Sequence, residues 1–268
     1  MAGYRRGLEL PGGVVVVAGA ATVLGEAVAV ALAGAGAQPV LVDGAGAELD
    51  RVAGLCADRA VAAPTFAADL ADPDAVGRAA AWAVAGHGRI DGWVQCAADP
   101  TGGAAAAGLL DAPLPAVRRV LDVDLLGAVH GARAALPAMV AQGHGVLVVV
   151  ASLHGQVARP FAAPTGMAGA AVRVMAAALR QELRRDGVRG VAVTTVLAPE
   201  PDPAAPAFLW TRPQRVASTV LAQLRRPRLE KVAAGPVTKA VVHGHALVPG
   251  ITEWLVGRYA AAPRRPPV

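Results

Sequence analysis

Ser152 closes the apolar run Val146-Leu147-Val148-Val149-Val150-Ala151, and His154 stands two residues beyond it. A hydroxyl and an imidazole at a strand exit can polarise a carbonyl or move a proton near neutral pH. Asp124, within Val123-Asp124-Leu125-Leu126-Gly127, adds a carboxylate able to act as general acid or base where its surroundings exclude water. Together the three are the parts of a hydrolase triad. That assembly is disfavoured, because a serine and a histidine two residues apart seldom reach the required geometry and the chain has no Gly-x-Ser-x-Gly elbow. His243 and His245 also lie two apart without a further ligand near them, and Cys56 and Cys96 form no CxxC. No metal site is expected.

A second constellation lies near the N-terminus, in the turn Ala18-Gly19-Ala20-Ala21-Thr22-Val23-Leu24-Gly25. Glycines between a strand and a helix let backbone N–H groups approach a pyrophosphate, which then sits at the positive end of the helix. Val23 falls inside that turn, where a β-branched side chain disfavours positive φ and fills space close to the phosphates. Asp43 is placed to accept a hydrogen bond from a ribose 2′-OH, and no arginine or lysine lies between Gly19 and Ala45 to hold a 2′-phosphate. Any dinucleotide taken here is therefore expected to be NAD(H) rather than NADP.

Such residues meet only if the elements between them alternate. Val14 to Ala18 reads as a strand buried on both faces, Leu24 to Ala35 as a helix and Val40 to Asp43 as a strand. Next come a helix over Ala45 to Arg59, a strand over Val61 to Ala67, and a helix over Pro73 to His87 with proline at its start. Asp91 to Ala97 is the fourth strand, and Ala116 to Gln142 a long helix interrupted late by Pro137. Val146 to Ala151, Pro164 to Asp186, Val188 to Leu197 and Arg212 to Arg226 continue as strand, helix, strand and helix. A short strand near Val232 to Ala234 follows, then a helix over Ile251 to Ala262. The alternation implies a doubly wound parallel sheet with helices on both faces and ligands at the carboxyl ends of the strands. A single domain over residues 1–268 is expected, with residues 236–268 as a C-terminal extension.

The order of these pieces, from Gly12 to about Gly235, resembles the short-chain dehydrogenase/reductase family and its Rossmann-like sheet. The first turn resembles the family's TGxxxGxG, with Ala18 in place of threonine and Val23 in place of the middle glycine. Asp69-Leu70 resembles the pair that lines the adenine pocket, and Ala97 is the one match to the Asn-Asn-Ala-Gly run that braces the sheet. The resemblance thus assigns Gly19, Thr22, Leu24, Asp43, Asp69, Leu70 and Ala97 to cofactor binding. Val123-Asp124-Leu125-Leu126-Gly127 resembles V-N-x-x-G, which puts Asp124 where the family has its relay asparagine. Ser152 matches the serine that polarises the carbonyl.

Thirteen residues on, Thr165 stands where the family has its proton-donating tyrosine, and four further on Gly169 stands where it has lysine. No other alignment restores that pair, because the two tyrosines, Tyr4 and Tyr259, are followed four residues later by Leu8 and Pro263. A missing proton donor commonly costs about 10²–10⁴ in rate. Pro199-Glu200 replaces the family's Pro-Gly, and the resemblance places a substrate lid over residues 200–215. It also implies a dimer or tetramer formed through the helices Ala116 to Gln142 and Pro164 to Asp186, or a heteromer with an active relative.

Composition narrows the field further. With 54% apolar residues the chain can bury a large core, and the net charge of +5 comes from arginines spread over helical faces rather than clustered with aromatics. A nucleic-acid partner is not expected. Gly34, Gly36 and Pro39 break the longest apolar stretch, so no membrane span is expected, and Met1 to Pro11 lacks the apolar core of a signal peptide. Two separated cysteines fit a reduced, cytoplasmic compartment.

Three readings follow for Ser152, Asp124, His154 and Thr165. The first is a recruited enzyme performing non-redox cyclisation, isomerisation or elimination on a small apolar molecule, of the kind found in secondary metabolism. The second is an inactive relative acting by binding a ligand or a partner subunit. The third is an NAD-dependent oxidoreductase with substitute proton donors.

Overall fold

The computed structural model describes residues 7–44, 46–96, 108–199 and 211–259. Seven parallel strands form one sheet in the order β3-β2-β1-β4-β5-β6-β7. β1 (Val14–Ala18), β2 (Gln38–Asp43), β4 (Gly92–Gln95), β5 (Gly145–Ser152) and β6 (Val191–Ala198) make the centre, and the three-residue strands β3 (Thr65–Ala67) and β7 (Glu230–Val232) make the edges. Every residue of β1 and β6 is buried. Continuous Val/Leu/Ala runs suit strands covered on both faces, so alternation is absent where the sheet is deepest.

Two helical layers bury those faces. Val15, Val17 and Leu41 point toward α1 (Val23–Gly34), α2 (Ala47–Ala57) and α7 (Pro213–Arg225). Val14, Val16 and Leu147 point toward α3 (Pro73–His87), α5 (Gly127–Gln142) and α6 (Ala163–Arg185). Because β4 pairs with β1 on the side opposite β2, the chain reverses its winding between β1 and β4. A crevice at such a reversal is where an open α/β sheet takes its ligands.

The long helix read over Ala116 to Gln142 is in fact three pieces: α4 (Leu114–Val120), a wide-turned π-type stretch Leu121–Leu126, and α5. Pro137 does not interrupt it, since Pro137 lies inside α5, which runs on to Gln142. Beyond β7 the chain forms α8 (Pro236–His245) and α9 (Pro249–Tyr259), of which only the second was legible as a helix. His243 and His245 are engaged locally: each Nδ1 meets an oxygen of its own helical pair, the Lys239 carbonyl at 2.6 Å and the Thr252 hydroxyl at 2.7 Å. Among the described residues no group of three His, Cys, Asp or Glu side chains could hold a metal, and no helix is long and apolar enough to cross a membrane.

Candidate functional site

At the carboxyl end of β1 the chain turns at Gly19, whose φ of +85° favours glycine. The Gly19 amide donates to the Val42 carbonyl at 2.8 Å, which hangs the turn on β2. Thr22 then caps α1: its Oγ1 accepts from the Gly25 amide at 3.0 Å and donates to the Gly19 carbonyl at 2.8 Å. A Cβ on Gly25 would lie 1.9 Å from the Gly19 carbonyl oxygen, so this glycine lets α1 start directly behind β1. Asp43 serves the same turn. One of its carboxylate oxygens accepts from Ala21 N and the other from Gly44 N, both at 2.8 Å.

Val23 departs from its expected effect. It is the first residue of α1, outside the positive-φ set, and its side chain is 62% exposed. The objection from positive φ therefore does not apply, because the helix begins there in ordinary helical geometry. Asp69 is exposed and holds the next turn through the Ala71 amide at 3.0 Å, while Arg119 of α4 approaches its other oxygen at 3.4 Å. Leu70 is buried, and its carbonyl accepts from Nδ1 of His130 at 3.0 Å. Ala97 lies outside the described residues, as do Glu200 and most of the lid over 200–215.

Ser152 is the last residue of β5, paired with Ala198 of β6. Its Oγ accepts from the His154 amide at 3.1 Å, capping the single 3₁₀ turn Leu153–Gly155. Asp124 comes from the π-type stretch, whose widened turns recur at functional sites. Thr165 comes from the first turn of α6. All three side chains line one cavity of about 60 Å³, with Leu24, Cys96, Val150, Ala168, Val172 and Ala198 supplying apolar walls. That volume is several-fold below the roughly 300 Å³ at which ordinary small-molecule sites begin.

His154 is half-buried in its turn and is not among the residues lining this cavity. Cys96 does line it, and burial pushes its thiol up to about 12, which keeps it protonated and inert as a nucleophile.

Sequence reading missed how the cavity is braced. Gln95 packs against the first turns of α5: its Oε1 accepts from Trp93 Nε1 at 3.0 Å, and a Cβ on Gly131 would lie 2.4 Å from that oxygen. Arg173 of α6 reaches Glu230 of β7 at 2.8 and 3.1 Å and the Gly155 carbonyl at 3.4 Å. The Arg173–Glu230 tie has no local signal, since the two residues are separated by 57 positions.

Residues 13–199 match the family model for short chain dehydrogenases. The chain belongs to the short-chain dehydrogenase family. It is 26% identical to dehydrogenase/reductase SDR family member 7B of Bos taurus over 94% of this chain and 82% of that protein. A second relative, 1-deoxy-11-beta-hydroxypentalenate dehydrogenase of Streptomyces exfoliatus, is 34% identical over 65% of this chain and 63% of that protein. Among solved structures, a metagenomic short-chain oxidoreductase in complex with NADP superposes with a TM-score of 0.73 at 25% identity, covering 85% of this chain and 99% of that one. A short-chain type dehydrogenase/reductase from Mycobacterium marinum gives a TM-score of 0.75 at 26% identity, covering 86% and 96%.

Membership in this dehydrogenase family implies a nicotinamide dinucleotide, and the residues present fit it at one end only. Gly19, the capped start of α1 and Asp43 make the turn that an adenosine diphosphate half requires. At the other end, Thr165 and Gly169 stand where the family has its tyrosine and lysine, so the residues present supply neither that proton donor nor a cation for the nicotinamide ribose. No chemical step through that group follows from these residues.

Proposed function

We propose that this short-chain dehydrogenase relative does not run carbonyl reduction through a tyrosine–lysine pair. Its cavity instead takes the polar end of a small apolar molecule and moves a proton without transferring electrons. One observation carries the reading: a carboxylate (Asp124) and two hydroxyls (Ser152, Thr165) converge from three separate elements on one cavity with apolar walls. In this arrangement the hydroxyls donate to an oxygen of the ligand, and Asp124 gives or takes the proton of an isomerisation, elimination or cyclisation. Ser152 also orders the turn beneath the ligand by accepting from His154 N.

A second reading, ligand or partner binding without turnover, is favoured by the small cavity. An open apolar groove of about 630 Å³ between α5 and α6, lined by Val129, Leu136, Pro137, Val140, Met175 and Leu179, supports pairing with a second copy or an active relative. The third reading, an oxidoreductase with substitute donors, draws on the dehydrogenase names of the relatives and on the intact first turn.

Ser152→Ala and Asp124→Asn test the first reading. Each is expected to abolish turnover of a ligand identified by thermal shift from a panel of small oxygenated terpenoids and alkenes, and unchanged turnover in both would refute it. Calorimetry with NAD and NADH at millimolar concentration separates the third, which fails if neither binds. Light scattering, read with Leu136→Arg, decides pairing through α5 and α6.

A further inference from the structure

Glycine inside a helix is ordinarily a weak point that alanine improves. Gly77 in α3 is of that kind, for a Cβ added there meets nothing within 4 Å. Gly169 in α6 is not. Its Cβ would lie 2.8 Å from the Ser152 carbonyl oxygen, 3.2 Å from the Ser152 Cβ and 3.4 Å from the Gly155 Cα. The contact is reciprocal, because a Cβ on Gly155 would lie 2.3 Å from Ala170 N and 2.4 Å from the Gly169 carbonyl carbon. One turn earlier, a Cβ on Gly166 would lie 3.2 Å from the His154 carbonyl oxygen.

Three glycines thus seat the start of α6 on the backbone of the turn that follows Ser152. The partners in this contact are main-chain atoms and the Ser152 Cβ bonded to them, none of which can rotate aside as the end of a long side chain can. Arg173, one turn further along α6, bonds Glu230 at 2.8 Å and the Gly155 carbonyl at 3.4 Å, so α6 is held against the turn at two places along its length. Thr165, Ala168 and Val172 ride on the same helix and belong to the α6 wall of the cavity, while Ala151 and Ser152 belong to its β5 wall. The separation of those walls is therefore set by how closely Gly169 approaches Ser152.

We infer that Gly155 and Gly169 are the specificity-determining residues of this pocket. By letting α6 close onto the Ser152 turn they fix the spacing between Ser152 and the residues of α6 that line the cavity. The departure from the family's site then resides in backbone packing and not only in two side chains. A lysine at 169 would begin inside the van der Waals envelope of Ser152, so restoring the family's pair by substitution alone does not restore its site. This inference concerns the same cavity as the proposed function and deepens that reading, but it does not depend on Asp124 moving a proton.

The test compares Gly77→Ala, Gly169→Ala and Thr165→Tyr/Gly169→Lys in the full chain. Gly77→Ala is expected to raise the Tm by about 2–4 °C, the shift typical of one helix-propensity step in a domain of this size. Gly169→Ala receives the same propensity gain and is nevertheless expected to lower the Tm by at least about that amount. The double variant is expected to show no NADH-dependent reduction of simple ketones or diketones. A Gly169→Ala chain that melts at or above the wild type overturns the inference, as does a double variant that reduces a ketone at the expense of NADH. Since Gly169→Ala adds a single methyl group, its Tm decides the matter even where the larger substitution prevents folding. Unchanged turnover in Ser152→Ala and Asp124→Asn would instead refute the proton-transfer reading and leave the glycine result standing.

Discussion

Asp91 is 1% exposed, yet it is ionisable, and removing its carboxylate should cost the fold several kilocalories per mole. One oxygen accepts from the buried Val14 amide at 2.8 Å, and the carboxylate also receives Arg89 Nε at 2.7 and 2.9 Å and His144 Nε2 at 2.8 Å. The main chain of Asp91 continues the tie: its N–H donates to Val14 O and its carbonyl accepts from Val146 N, both at 2.9 Å. The residue therefore fastens the starts of β1, β4 and β5 together. In Asp91→Ala the Val14 amide is left buried without an acceptor, which costs about 1–3 kcal/mol. Arg89 and His144 are 51% and 48% exposed, so the loss of each adds only about 0–1 kcal/mol after solvent screening. A destabilisation of roughly 2–4 kcal/mol is expected, and about half of that for Asp91→Asn, which keeps an acceptor for Val14.

The carboxyl also carries a pH signature. Burial by itself pushes Asp91 up, but hydrogen bonds from Arg89, the Val14 amide and His144 outweigh burial and hold it below the usual carboxylate range. Its folded pKa thus lies below its unfolded value, so its contribution is complete above about pH 4 and is lost as pH falls through the lower folded value. Urea denaturation followed by the fluorescence of buried Trp93 and the other tryptophans, repeated between pH 3 and 7, measures both effects. The Asp91→Asn chain should lack this part of the acid limb. If Asp91→Ala lies within about 0.5 kcal/mol of the wild type, the tie has been misjudged.

Two further outcomes follow from the same reasoning. Cys56 and Cys96 are buried with thiols pushed up to about 11 and about 12, so neither should react with a disulfide reagent at pH 8 until denaturant is added, as thiol titration in native and unfolded states will show. Thr22→Ala removes the cap on α1 and should cost about 1 kcal/mol, whereas Thr22→Ser should recover most of it, read as the denaturation midpoint.

Much of the fold was open to reading because its signals are local. The valine-rich runs of β1 and β5 declare strands buried on both faces, Gly19 and Gly25 mark the turn between β1 and α1, and Pro73 starts α3 where proline costs nothing. Strand edges were less exact. β3 is three residues long rather than the seven from Val61 to Ala67, since a sheet edge needs only enough pairing to cover its neighbour and apolar character runs past the hydrogen-bonded part.

The amino-acid sequence by itself determined the alternating α/β order, the glycine turn after β1, and the absence of any Tyr-x-x-x-Lys, because each depends on residues adjacent or at fixed short spacing. Only the tertiary structure decided that Asp124, Ser152 and Thr165 face one cavity while His154 stands outside its lining, and that Val23 points to solvent. It alone decided that Gly169 meets the Ser152 backbone and that Arg173 meets Glu230. Those outcomes turn on where α6 comes to rest. Glycines 14 positions apart and an ion pair 57 positions apart set that position, and no local pattern of polarity encodes either.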